Sequence, residues 1–371
     1  MERVGRITIG SVCDVKTGKL DANASNENGT YPFFTCSKEP LRINTFSYDA
    51  ECVLIAGNGD LNVKYYNGKF DAYQRTYIIT LKTGITNISV RYLFAFFSLY
   101  VETLRRKSIG GVIKYIKLGD ITEAKIPIPP LQEQERIVAE LELLTGIIDK
   151  QKQQLKELDT LAQSIFYDMF GNPVENEKGW HCMNLREIAS FKNGLNYTNK
   201  KSGRLVKVLG VSDFQNRSFV DSSEIGCVHI DDCFDDDYYL NDDDIVFVRS
   251  NGSKALIGRS VRVLTQGENI TYSGYCIRCR ITSPLIISPY LAAFVKTEQI
   301  HNVLTTGGRG CNIQNLNQTT LGDLIIPIPP LAIQNSFTKK IQSIKSQKES
   351  INCSIAESQK LFDYTMDKYF G

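Results

Sequence analysis

The segment Ile126-Pro-Ile-Pro-Pro-Leu131 recurs unaltered as Ile326-Pro-Ile-Pro-Pro-Leu331, 200 residues further along a chain of 371. Six identities that include three prolines do not arise by chance, and self-similarity at a fixed period constrains architecture before any residue-level reading does. The same offset persists downstream, where Gln134 matches Gln334 and Phe170-Gly171 matches Phe370-Gly371. Upstream, Leu118-Gly-Asp120 returns as Leu321-Gly-Asp323, shifted by a short insertion, and Val12, Lys16 and Gly18 align with Ile188, Lys192 and Gly194. The chain is two copies of one unit, each with a mixed front and a helical back.

In the first back part, apolar residues fall at Ile137, Leu141, Leu144, Ile148, Leu155, Leu158, Ala162, Ile165 and Met169, alternating by four and three and interrupted by Gln151. That is a heptad seam. The second back part carries Phe337, Ile341, Ile344, Lys348, Ile351, Ile355, Ser358, Phe362, Thr365 and Tyr369 on the same register. The pattern predicts two helices of about 40 residues, each about 60 Å long. Prolines at 127, 129 and 130, and at 327, 329 and 330, impose an extended approach and keep each helix from starting earlier. Gly171 and Gly371 end them. Two matched seams, one leading out of the first front part and one out of the second, satisfy each other by antiparallel packing, giving a dumbbell with pseudo-twofold symmetry. The competing arrangement makes each helix a cover on its own domain, but such a seam is too long for one small domain.

The front parts read as strand-rich. Cys52–Ala56 and Thr76–Thr80 are short β-branched runs bounded by Gly57-Asn-Gly-Asp60 and Asn67-Gly68; Ile245–Val248 and Tyr275–Cys279 are their counterparts. A helix is expected over Arg91 to about Arg106 and again over Pro289 to about Leu304. Each precedes a Gly-rich loop, Ser108-Ile-Gly-Gly111 or Thr305-Thr-Gly-Gly-Arg-Gly310. The fold class is therefore mixed α+β: front domains at 1–128 and 172–328, long helices at 129–171 and 329–371.

Net charge is +2 overall, with 17 Lys+Arg against 12 Asp+Glu in residues 1–128 and 4 against 8 in 129–171. A protein binding nucleic acid by charge alone would be far more basic, so any such binding must be local or shared. No apolar run approaches the roughly 18 residues of a membrane span, and the first ten residues lack a signal-peptide core. Ten scattered cysteines suit reduced core thiols. A cytoplasmic location is expected.

A catalytic constellation is missing from the sequence. No phosphate-binding glycine loop ends in Gly-Lys-Ser/Thr, and no Asn-Pro-Pro-aromatic run offers a base-flipping methyltransferase site. His181, His229 and His301 are too dispersed for a triad. Cys276-x-x-Cys279 with Cys227 and Cys233 has a zinc-like composition but falls in an expected strand. Asp231–Asp237 and Asp242–Asp244 lack the Gly and Glu of a calcium loop and would repel phosphate. No metal, no cofactor and no catalytic residue is assigned to this chain.

What remains are planar, polar and basic side chains on turns and Gly-rich loops. The first copy offers Asn58, Asp60, Asn62, Lys64 and Tyr65, then Arg105, Arg106, Lys107, Ser108 and Lys114. The second offers Arg249, Ser250, Asn251, Ser253 and Lys254, then Thr305, Thr306, Arg309, Asn312, Gln314 and Asn315. Arg reads guanine bidentately and Asn or Gln reads adenine, so these are the candidate DNA-binding residues.

The strings IPIPPLQEQERIVAELELLTGIIDKQKQQLKELDTLAQSIFYDMFGNP, LNDDDIVFVRSNG and LGDLIIPIPPLAIQ resemble the specificity subunits of type I restriction-modification systems. That resemblance implies two target-recognition domains, each reading one half of a split double-stranded DNA site, held apart by two helices acting as a ruler. It implies no catalysis in this chain. It also implies docking of methyltransferase subunits, two in number, on the helices, with restriction subunits joining through the complex. S-adenosylmethionine, ATP and Mg would then belong to the partners. Gln134, Arg136, Ile137, Leu141, Gln334, Phe337 and Ile341 are the expected docking residues. The second helix departs from the first at Ala332-Ile333, Lys348 and Ser358. A coiled-coil adaptor for other proteins, and a silent specificity cassette, are the alternative readings.

Overall fold

The computed structural model describes residues 5–197, 203–214, 219–230, 234–250, 253–306 and 315–371. In chain order the first elements are β1 (Arg6–Thr8), α1 (Ile9–Val12), β2 (Cys13–Thr17), β3 (Tyr31–Phe34), β4 (Leu41–Ile43), β5 (Tyr48–Ala56), β6 (Val63–Ala72) and β7 (Thr76–Leu81). Then come α2 (Val90–Lys107), α3 (Leu118–Thr122), β8 (Lys125–Pro127) and the long α4 (Leu131–Phe170). The second copy contains β9 (His181–Asn184), α5 (Leu185–Ile188), β10 (Ala189–Asn193), β11 (Arg204–Leu209), β12 (Phe219–Asp221), β13 (Cys227–Ile230), β14 (Ile245–Val248), β15 (Ser260–Leu264), β16 (Ile270–Tyr272) and β17 (Cys276–Ile281). It closes with α6 (Ser288–Phe294), α7 (Glu298–Thr306), α8 (Gln318–Gly322), β18 (Ile325–Ile328) and the long α9 (Leu331–Phe370).

These elements form two compact units, one of Met1–Gln154 with Ile351–Gly371 and the other of Leu155–Ser350. Each unit thus contains a stretch of both long helices. In the first, the main sheet runs β2-β7-β5-β6-β3-β4; in the second, β10-β17-β14-β15-β12 repeats the first four places of that order. The proline segments form β8 and β18, which pair antiparallel with β1 and β9. The separate three-stranded sheet β13-β11-β16 of the second unit repeats the pairing of β4-β3-β6 in the first, antiparallel and then parallel.

The central strands explain their own composition. Cys52 to Ala56 on β5 and Ile245 to Val248 on β14 are buried along their whole length, because side chains alternate between two covered faces. In the first unit Val53 and Ile55 join α2 residues Leu93, Phe97 and Leu104, while Cys52 and Leu54 meet Phe34 and Phe70 on the other face. In the second, Ile245 and Phe247 share a core with Leu291 and Leu304, and Val246 and Val248 share another with Val261 and Tyr272.

The long helices are 40 residues each, and every seam position named above is buried or half-buried. Within the first unit they run antiparallel: the Arg136 guanidinium donates to the Tyr369 hydroxyl at 2.9 Å, and Gln151 Nε2 donates to Ser354 Oγ at 2.7 Å. Within the second unit the same register puts Lys348 Nζ 2.6 Å from Asp159, so the cation that breaks the apolar seam meets a carboxylate. The helix ends close the cores. Met366 and Phe370 lie in the first core, with the Phe370 ring 5.2 Å from Tyr92 and 5.9 Å from Phe96. Phe166 and Phe170 do the same in the second, 5.8 and 5.2 Å from Phe337, with Phe170 4.6 Å from Tyr290. Phe370→Ala should therefore destabilise the first unit by about 3–5 kcal/mol, seen as a lowered denaturant midpoint for that unit's transition with the second unit's midpoint unmoved.

One expected element differs. The single helix predicted over Pro289 to Leu304 is two, α6 and α7, broken at Val295–Thr297. The Thr297 hydroxyl donates to the Phe294 carbonyl at 2.8 Å and its N–H donates to the same oxygen at 3.1 Å. That local bonding replaces the helical pattern, and the sequence signal was a single β-branched threonine.

Candidate nucleic acid interface

In the first unit the loop after β5 and the loop after α2 are hydrogen-bonded into one surface. Gly59 N donates to the Lys114 carbonyl at 2.9 Å and Ile116 N to the Gly57 carbonyl at 3.0 Å. Arg105, at the end of α2, donates to the Leu61 carbonyl at 2.5 Å and lies 3.5 Å from the Asp60 carboxylate. Asn62 Nδ2 donates to the Cys36 and Asp60 carbonyls, and Lys64 Nζ donates to Asn62 Oδ1. Burial pulls the Lys64 amine below the ordinary lysine range. Asn58, Asp60, Asn62, Lys64, Arg105, Ser108 and Lys114 thus belong to one cluster, with Arg106 and Lys107 exposed beside it. Tyr65 does not join it. Its ring packs toward α2 under the Arg91 guanidinium, 5.1 Å away, and its hydroxyl donates to Glu51 at 2.8 Å.

The second unit repeats the central bond: Leu316 N donates to the Arg249 carbonyl at 2.8 Å, the counterpart of Ile116 to Gly57. Arg249 and Ser250 are half-buried at the end of β14, Ser253 and Asn315 are exposed, and the Thr305 hydroxyl turns back to the His301 carbonyl at 2.9 Å. Asn251, Arg309, Asn312 and Gln314 lie outside the described residues, as do the side chains of Lys254 and Thr306.

Two exposed residues escaped the sequence reading. Gly57 N donates to the Arg75 carbonyl, and Arg249 N donates to the Tyr275 carbonyl, both at 2.8 Å. Arg75 and Tyr275 stand just before β7 and β17 and both are exposed, so they border the same loops 200 residues apart. The repeat offset was the signal that could have found them. Lys38, 3.8 Å from Asp60, is a further cation at this end of the first unit.

The expected docking residues on the helices need correction. Gln134 and Gln334 are 0% exposed, and Ile137, Leu141 and Phe337 are buried in the cores of their own units. Gln134 Oε1 accepts from Ser89 N at 3.0 Å while Nε2 donates to the Asn87 and Pro129 carbonyls at 2.7 and 2.8 Å. Gln334 makes the same three bonds, to Ile287 N, Leu285 O and Pro329 O. These side chains fasten each helix to its own front domain and offer nothing to a partner. Ile341 is half-buried against the second core. Of the set only Arg136 is exposed, engaged with Glu133, Glu140 and Tyr369.

Cys276 and Cys279 face different cores from opposite sides of β17, which rules them out as joint ligands of one ion. Burial pushes the Cys13, Cys52 and Cys276 thiols up to about 12; at neutral pH they are protonated packing groups. Two described aspartates of the acidic stretch are engaged within their own unit. Asp237 pairs with Lys192 at 2.6 Å and Asp244 with Arg280 at 2.7 Å.

A duplicated mixed domain, with each 40-residue helix contributing to both units, defines a fold built by internal repetition. A family model described as the type I restriction modification DNA specificity domain matches residues 1–160 and again 177–357. The chain belongs to that family. It is 36% identical over 180 residues to the type I restriction enzyme EcoDI specificity subunit of Escherichia coli, covering 48% of this chain and 40% of that protein. Against the StySPI specificity subunit of Salmonella potsdam it is 26% identical over 282 residues, covering 71% and 60%. The chain thus spans about two fifths to three fifths of the length of these curated relatives. Among solved structures, the S subunit of a type I restriction-modification system from M. genitalium superposes with a TM-score of 0.57 at 16% identity, covering 100% of this chain and 97% of that one. A chain from a study of complex assembly and conformational transition in the type I R-M system gives 0.62 at 17% identity, covering 100% and 98%. Both share the fold.

Proposed function

We propose that this chain is a non-catalytic DNA sequence-specificity subunit, each unit reading one half of a bipartite double-stranded site with the loops at its sheet end. The observation that carries the reading is the matched pair of loop bonds, Ile116 to Gly57 and Leu316 to Arg249. It ties the end of β5 or β14 to the loop that follows the helix at the same place in both units, and in the first unit planar polar side chains stand there beside the exposed cations Arg106, Lys107 and Lys114. Phosphate contacts would fix position and the planar side chains would supply identity. Replacing Arg106, Lys107 and Lys114 by Ala should lower the slope of log affinity against log salt by about one per cation, measured by titration on duplex DNA; an unchanged slope would remove these residues from the interface.

Methyltransferase subunits, carrying S-adenosylmethionine, are the proposed partners on the helices, with restriction subunits, ATP and Mg entering through the complex. The surface for them is apolar and distinct from the buried seam. Leu143 is 66% and Tyr364 68% exposed, with Ile147 and Leu361 also exposed. The register set by Arg136–Tyr369 and Gln151–Ser354 brings all four to one level and one side of the helix pair in the first unit. Leu143→Lys with Leu361→Lys should abolish co-purification of the methyltransferase while leaving the thermal transition within a few degrees of wild type. Retained co-purification would place the partner elsewhere.

A further inference from the structure

The loop between α2 and α3 is tightly built and ends in an apolar tip. Ile109 and Tyr115 exchange backbone hydrogen bonds of 3.0 and 2.8 Å, and Gly59 and Gly57 bind the same loop to the end of β5. Gly110 has φ +121, and a Cβ there would come within 2.5 Å of the Ile113 carbonyl, so only glycine permits this turn. On a loop so fixed, water would favour polar residues, yet Val112 is 104% and Ile113 63% exposed. Both are β-branched and stiff about χ1. Exposed Arg106, Lys107 and Lys114 flank them.

Resting on the DNA-recognition reading above, we propose that the Val112–Ile113 tip is an apolar wedge that enters between base pairs at or beside the half-site of the first unit. The flanking cations would hold the phosphates on either side. Rigid aliphatic side chains that partially unstack a base step are a known means by which proteins kink DNA, and cations on both flanks fit a polyanion better than an apolar protein surface. An unstacked step would add sequence preference without a base contact, because pyrimidine–purine steps yield most readily.

The test uses the full chain with its methyltransferase partner and duplexes enriched by that complex from a random pool, with 2-aminopurine placed at each adenine in turn. The wild-type complex should raise fluorescence at one step. Val112→Ser/Ile113→Ser should remove that signal and weaken binding about tenfold or more with an unchanged salt slope, and Val112→Leu/Ile113→Leu should restore both. Lys107→Ala/Lys114→Ala should keep the signal and lose salt slope. Equal affinity and equal fluorescence in the serine variant would overturn the wedge while leaving DNA recognition intact. Loss of methyltransferase from the serine variant, with DNA fluorescence retained, would also overturn it by making the tip a protein contact. Failure of the wild-type complex to enrich any sequence would instead remove the recognition reading beneath it.

Discussion

A fragment of residues 1–171 is expected to form a dimer. In the intact chain the first unit is completed by residues 351–371, which bring Met366 and Phe370 against Tyr92, Phe96 and Ile137. The fragment lacks them, and a monomer would expose that core together with the seam of α4. Each large apolar side chain so exposed costs about 1.5–3 kcal/mol. The fragment does carry Phe166 and Phe170, which in the second unit plug the matching socket at Tyr290 and Phe337. Two copies can therefore complete each other by exchanging the last turns of α4, an antiparallel arrangement that closes under twofold symmetry. Light scattering behind size exclusion should give twice the fragment mass, and Phe170→Asp should abolish the dimer. A folded monomer at micromolar concentration would show that the helix ends are dispensable.

Removing either buried glutamine should be nearly as damaging. Gln134→Ala leaves the Ser89 N–H and the Asn87 and Pro129 carbonyls without their partner, in a site closed to solvent. Unsatisfied groups of this kind cost about 1–3 kcal/mol each, so a loss of about 3–5 kcal/mol is expected after partial relaxation. Ser89 also caps α2 by accepting from Tyr92 N at 3.1 Å, so that helix start loosens too. Gln134→Glu preserves shape but turns a donor toward two carbonyls into an acceptor, and should be at least as destabilising. Gln334→Ala should produce the same loss in the other unit, because its three bonds are the same. Denaturant unfolding followed separately for each unit would check this. A cost below about 1 kcal/mol for either variant would mean that the helix is held by apolar packing alone.

The repeat and the long helices were legible because both are written in identity and period. Six unchanged residues at 126–131 and 326–331 fixed the duplication, and the four-three spacing from Ile137 to Met169 fixed which side is covered. What periodicity could not separate is a residue that faces a partner from one that faces its own domain. Gln134 and Gln334 read as exposed polar positions near a helix start, yet both are internal fasteners, since the proline turn aims them at the loop ahead of α2 or α6. The loop set was legible as composition, and most described members do converge. Tyr65 fails to join because alternation along β6 turns it toward α2. Arg75 and Tyr275 were hidden because their backbone carbonyls, and not their side chains, tie them to the site.

The most direct test of the central claim is methylome sequencing of cells that express this chain with the proposed methyltransferase partner. Two specific half-sites separated by a fixed number of unread base pairs are predicted, and exchanging residues 1–128 for those of a relative should change one half and leave the other and the spacing intact. A single contiguous motif, or methylation unaffected by that exchange, would contradict the assignment of one half-site to each unit.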